Sequence, residues 1–159
     1  MLRWTLWLLA APGALALGAL LTQCADAPAP APESGPQVAF DQSEARDLLP
    51  GTWLREYTEQ GVRVHRVLTL DADGNFREVS SLTEPGGRVT HYVHAGNWLF
   101  DGTNLKRRYT SINGDAPSRL AVPFATFAIV FDTRNEFTGV DHIHGRTIHY
   151  HRVDDSDAS

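Results

Sequence analysis

Four of the seven histidines crowd the C-terminal stretch, as His142-Ile143-His144 and His149-Tyr150-His151. Side chains alternate sides along an extended chain, so each His-x-His pair presents two imidazoles on one face. With the two runs joined at Gly145-Arg146, His142 lies opposite His149, and His144 and His151 share that face. Such a set has the donors for zinc or copper, with ring nitrogens about 2.0–2.1 Å from a bound zinc. The same register puts the histidines on the face opposite Ile143, Ile148 and Tyr150, hence on the outside of the fold. A slip of one residue would part the two pairs. No acidic residue stands where it would orient the rings. The alternative is a solvated, histidine-rich strand face with no resident cofactor.

Other chemistry is sparse. Cys24 is the single cysteine, which excludes an internal disulfide and a thiolate zinc cage. No Gly-x-Ser-x-Gly elbow and no phosphate-cradling glycine loop occurs, so an enzyme is not expected. Asp71-Ala72-Asp73-Gly74 begins like a calcium loop, but the remaining ligands and terminal Glu are missing; a hairpin turn is expected there. The 159 residues carry 14 Lys+Arg against 19 Asp+Glu, a net of −5, which argues against nucleic acid as a partner.

The elements that position these residues begin with an address label. Arg3 precedes an apolar run from Trp4 to Leu21, the charged and hydrophobic regions of a secretory signal over residues 1–23. Leu21-Thr22-Gln23-Cys24 resembles the lipobox of bacterial lipoproteins, with Gln23 standing where that pattern has a small residue. The resemblance implies a diacylglycerol thioether and an acylated amine on Cys24, anchoring the chain in the envelope. Ala25 as the second mature residue then implies the outer membrane, facing the periplasm. Cleavage near Ala25-Asp26-Ala27, giving a soluble periplasmic or secreted protein, is the alternative, and an uncleaved anchor a third. Loss of residues 1–23 removes only Arg3, leaving 13 basic and 19 acidic groups, a net of −6. The lipid rather than the protein surface would hold such a chain to the membrane.

Residues 24–40 read as the lipidated cysteine and a Pro/Ala-rich tether, extended to roughly 35 Å if in polyproline II. The acidic tail 154–159 is expected to be disordered. Between them, 41–153 form one domain. A short helix, capped by Asp41 or Ser43, runs to Leu49 and stops at Pro50-Gly51. Eight short alternating runs follow: 52–59, 62–71, 75–82, 89–100, 104–112, 124–132, 136–144 and 147–153. Turn residues such as Gln60-Gly61, Asp73-Gly74 and Asn113-Gly114 separate them. The pattern predicts an all-β, antiparallel eight-stranded meander closing into a barrel, since closure removes exposed sheet edges.

Leu49-Pro50-Gly51-Thr52-Trp53 after a short helix resembles the Gly-x-Trp start of lipocalins. Leu68-Thr69-Leu70-Asp71-Ala72-Asp73-Gly74-Asn75-Phe76 and Gly96-Asn97-Trp98 resemble recurring elements of small bacterial lipocalin-like domains, over about residues 48–153. The resemblance implies that Trp53 closes the barrel floor and that Arg152, near the end of the last strand, stacks over it. With Trp53, Trp98 and Arg152 inward, alternation turns Arg55, Tyr57, Tyr92, His94, Phe100, Ile148 and Tyr150 inward as well. A two-residue turn at Gly145-Arg146 pairs Ile143 with Ile148 and Asp141 with Tyr150. The candidate ligand-binding set is therefore Trp53, Arg55, Tyr57, His94, Trp98, Asp141, Tyr150 and Arg152, polar groups converging on an apolar lining. The alternative is a satisfied network that merely closes one barrel end.

Three functions follow from this layout. The first is a lipid-anchored barrel that takes up a small, partly apolar ligand. The second is binding of zinc or copper by the C-terminal histidines. The third is an assembly lipoprotein whose partner is another envelope protein.

Overall fold

The structure, a computed structural model, describes residues 40–118 and 123–154. The signal segment 1–23, Cys24, the tether up to residue 39 and residues 155–159 of the tail lie outside the described residues.

Helix α1 spans Gln42–Leu48. Asp41 is its N-cap: its carboxylate accepts the backbone N–H groups of Ser43 and Glu44, both at 2.8 Å. Glu44 reaches back to the Asp41 N–H at 3.2 Å, completing a capping box. Pro50 and Gly51 then turn the chain into the sheet.

Eight strands follow: β1 (Gly51–Glu59), β2 (Val62–Leu70), β3 (Asn75–Thr83), β4 (Val89–Phe100), β5 (Asn104–Ile112), β6 (Phe124–Thr133), β7 (Glu136–Asp141) and β8 (Thr147–Val153). Each pairs antiparallel with the next, and β8 returns to β1, so the meander is a closed barrel. The turns carry the backbone that tight hairpins need. Gln60 and Gly61 both have positive φ, at 51° and 81°, as do Asn113 and Gly114, at 53° and 92°. Opposite φ signs would splay the flanking strands against their right-handed twist.

One hairpin departs from the sequence expectation. β7 stops at Asp141 instead of running on to His144. The Asp141 carboxylate accepts the N–H groups of Ile143 at 2.8 Å and His144 at 3.3 Å, and Gly145 N–H donates to the Asp141 carbonyl at 2.7 Å. This local capping curls the chain before a longer strand can form. Tyr150 therefore faces Phe137 rather than Asp141, and His149 faces Thr138 rather than His142. Ile148 lies opposite Gly139 rather than Ile143, which is exposed in the turn. The shift is an even number of residues, so each β8 side chain keeps its expected face. Ile148 and Tyr150 are buried, and His149 and His151 are exposed.

The main apolar core fills the barrel end covered by α1. Leu49, Trp53, Leu68, Leu70, Phe76, Phe100, Leu105, Phe131 and Phe137 are buried there. Trp53 meets Phe137 edge-on, with centroids 4.8 Å apart, and Phe131 at 6.0 Å. Edge-to-face contacts of this kind align the positive ring edge with the negative face of the neighbour.

Candidate functional site

At the α1 end, the first and last strands pair over Thr52–Leu54 and Val153–His151. That register sets Arg152 directly opposite Trp53. The Arg152 guanidinium lies 4.3 Å from the Trp53 ring centroid, the stack that the Gly-x-Trp resemblance implies. Two of its donors reach carbonyls: one Nη donates to the Pro50 carbonyl at 3.0 Å, the other to the Leu48 carbonyl. The Trp53 indole N–H donates to the Leu49 carbonyl at 2.9 Å. Gly51 makes room for this arrangement. A Cβ there would lie 2.1 Å from Arg152 Nη1, and its φ of 137° is strained for any L side chain. The helix C-terminus, Trp53 and Arg152 are thus one hydrogen-bonded plug.

Along the barrel from the plug, the interior changes character. On β2, inward positions read Val64, Arg66, Leu68, Leu70; on β3, Phe76, Glu78, Ser80; on β5, Leu105, Arg107, Tyr109. Each strand thus carries a charged residue in the phase of its apolar ones. These charges meet. Glu78 and Arg107 are 2% and 3% exposed, and Arg107 Nη1 donates to Glu78 Oε2 at 2.5 Å. Arg66 Nε donates to Ser80 Oγ at 3.0 Å and stands 3.7 Å from Glu78 Oε1. His94, opposite Glu78 on β4, brings its Nδ1 within 3.4 Å of that same oxygen.

Burial opposes the Glu78 charge, but the Arg107 charge, the His94 contact and Arg66 outweigh it and hold the carboxyl well below its usual range. Burial disfavours the Arg107 charge too, and there Glu78 prevails, raising its pKa. The hydroxyls of Tyr109 and Tyr150 are pushed up by burial, so both stay neutral near pH 7.

Aromatic rings surround the cluster. Arg107 lies 5.2 Å from the Phe127 centroid, 5.4 Å from Phe76 and 5.6 Å from Tyr109. His94 meets Tyr109 edge-on at 5.7 Å and stacks on Tyr92 at 6.5 Å. Two further features point inward. Arg55 pairs directly across from Arg66, and its guanidinium lies over Tyr57 at 4.1 Å rather than on a carboxylate. Arg107 Nε is buried and has no hydrogen-bond partner.

The structure does not gather the sequence-derived set in one place. Trp53 and Arg152 belong to the plug. His94 joins the ionic cluster, Tyr150 is buried and within electrostatic reach of it, and Arg55 and Tyr57 stand one step further along β1. Trp98 lies half-buried at the core's edge, its indole N–H donating to the Asp71 carbonyl at 2.9 Å. Asp141 sits in the β7–β8 turn, where His144 Nδ1 lies 2.8 Å from Oδ2. Desolvation opposes its charge, but the hydrogen bonds of His144 and Ile143 win and lower its pKa. Glu78, Arg107, Arg66, Ser80 and Tyr109 were not singled out from sequence. Their signal was a polar residue in an apolar phase.

The C-terminal histidines are not brought together. His142 Nε2 lies 2.9 Å from Asn104 Oδ1, His144 turns to Asp141, and His149 Nδ1 lies 3.0 Å from Thr138 Oγ1. Among the described residues no group of three or more His, Cys, Asp and Glu side chains is placed to hold a metal ion.

No protein-family model matches this chain, and no curated protein matches it.

Proposed function

We propose that this chain is a lipid-anchored envelope protein whose barrel binds a small, partly apolar ligand. The observation that carries the binding function is the division of the barrel interior. One end is a plug in which the Trp53 and Arg152 donors find carbonyls. The other holds charged and aromatic side chains, among them a buried donor with no partner. A closed end and a polar, aromatic interior are the parts of a cup: apolar walls supply affinity and a few placed polar groups fix orientation. An eight-stranded barrel is wide enough for one small ligand at most, which limits the size of the molecule taken up.

The anchor is supported by sequence alone. The apolar run after Arg3 and the Leu21-Thr22-Gln23-Cys24 motif favour export and lipidation, and Ala25 after the cysteine favours the outer membrane, facing the periplasm. The Pro/Ala-rich segment would hold the barrel clear of the bilayer. Metal binding by His142, His144, His149 and His151 is the weaker alternative, because the rings of His142, His144 and His149 each have a separate partner.

Two measurements test the proposal. In a bacterial host, labelled palmitate should enter the wild-type chain and not Cys24→Ser; label in neither removes the anchor from the account. Native mass spectrometry of the protein purified without detergent exchange should show a bound small molecule. A bare mass together with a crystal structure of a filled interior would remove the ligand.

A further inference from the structure

The ligand's charge is written in the barrel interior. This step rests on the binding function above and goes beyond it by naming the chemical class. The chain as a whole is acidic, with a net charge of −5, yet the side chains turned into its barrel around Glu78 are mostly cationic. Arg55, Arg66 and Arg107 gather there against one carboxylate, Glu78.

That imbalance is costly in the free protein. Taking a charge out of water costs several kcal/mol per ion unless geometry and partners return it. Glu78 serves Arg107 through Oε2 and is shared through Oε1 between Arg66 at 3.7 Å and His94 at 3.4 Å. One carboxylate cannot satisfy three cationic or donor groups at full strength. Arg55 and Arg66 are directly opposed cross-strand neighbours, a like-charge pairing that destabilises a sheet. Arg107 keeps its Nε–H buried and unpartnered, though a guanidinium has five donors in a fixed fork. An unmade hydrogen bond from a buried charged group costs more than one from a neutral group.

We propose that the interior is a binding site for an amphipathic monoanion, a carboxylate carried on a short apolar body. A planar carboxylate matches the guanidinium fork and supplies the negative charge that the two remaining arginines lack. The aromatic rings of Phe76, Tyr92, Tyr109 and Phe127 lie against His94 and Arg107 and would enclose the apolar body. Glu78 then has a second role. It occupies part of Arg107 when the ligand is absent, so it competes with the carboxylate for the same cation.

The test is calorimetric titration of the full chain at pH 7.5 with three probes that differ in headgroup: decanoate, decanol and decylamine. Decanoate should bind at least tenfold more tightly than decanol, and decylamine more weakly than either. Arg66→Gln, at a half-buried position, should lower decanoate affinity at least fivefold and leave decanol unchanged. Glu78→Gln should raise decanoate affinity, because it releases Arg107 without removing a cation. Each variant is compared by melting temperature first; if Glu78→Gln does not fold, Arg66→Gln and the headgroup series decide. Equal binding of decanoate and decanol overturns the anion site while leaving the ligand-binding barrel intact. Binding of none of the three, with a filled interior in a crystal structure, overturns both.

Discussion

Arg152 and Arg107 both lie against aromatic rings inside the same barrel, and they are treated differently. Arg152 stacks on Trp53 and gives two Nη donors to carbonyls at and just after the end of α1. Arg107 is more deeply buried, holds one strong contact to Glu78 and keeps its Nε–H unpartnered. Burial by itself therefore does not separate a structural arginine from a binding one. What separates them is a buried donor left without a partner, and in this barrel that donor is on Arg107.

The largest effects should come from emptying either region. Trp53→Ala removes the centre of the plug and should cost about 3–5 kcal/mol, read from denaturant unfolding. Glu78→Leu leaves buried guanidinium groups without their carboxylate and should cost a similar ~3–5 kcal/mol. The comparison predicts a difference between the two. Adding Arg107→Leu to Glu78→Leu should recover most of the loss, because an apolar pair replaces an ionic one. Adding Arg152→Leu to Trp53→Ala should recover nothing. Recovery in both, or in neither, would erase the distinction between the regions.

A smaller effect is expected at Gly51. Gly51→Ala meets the Arg152 guanidinium and a φ of 137°, and should cost about 1–3 kcal/mol without altering the headgroup preference. Smaller again is the response to acid. The Glu78 carboxyl lies well below its ordinary value of 4.5 in the folded protein. Its contribution is therefore present above pH 4.5 and is lost as pH falls below that value toward the folded pKa. The wild type should lose melting temperature more steeply below pH 4.5 than Glu78→Gln does; parallel curves would mean that Glu78 is not held ionised. Smallest is the change at the histidines. His142→Ala/His149→Ala should melt like the wild type with or without added zinc, and a zinc-dependent difference would bring the metal function back.

The barrel was legible because its local signals agreed with one another. Alternation between apolar and polar residues fixed the strands, and Gln60-Gly61 and Asn113-Gly114 have the positive φ their hairpins need. Trp53 and Arg152 were legible as a motif and a position near the last strand's end. The β7–β8 hairpin was misread because the Asp141 carboxylate captures Ile143 and His144, and so ends a strand whose residues would otherwise continue it. The ionic cluster was harder still. Arg66 and Glu78 lie on neighbouring strands, but Arg107 is on β5, which β4 separates from β3, so the Arg107–Glu78 contact forms only through side chains inside the barrel. Each looks like an ordinary polar strand residue until its phase is compared with Leu68, Phe76 and Leu105 on the same strands.

One measurement reaches the centre of the account: decanoate titrated into the double variant Glu78→Leu/Arg107→Leu, with its melting temperature taken alongside. The predicted result is a folded protein, close to the wild type in stability, that has lost decanoate binding while the wild type retains it. A stable double variant that binds decanoate as the wild type does would contradict the account, because the buried charges would then serve the fold and not a ligand.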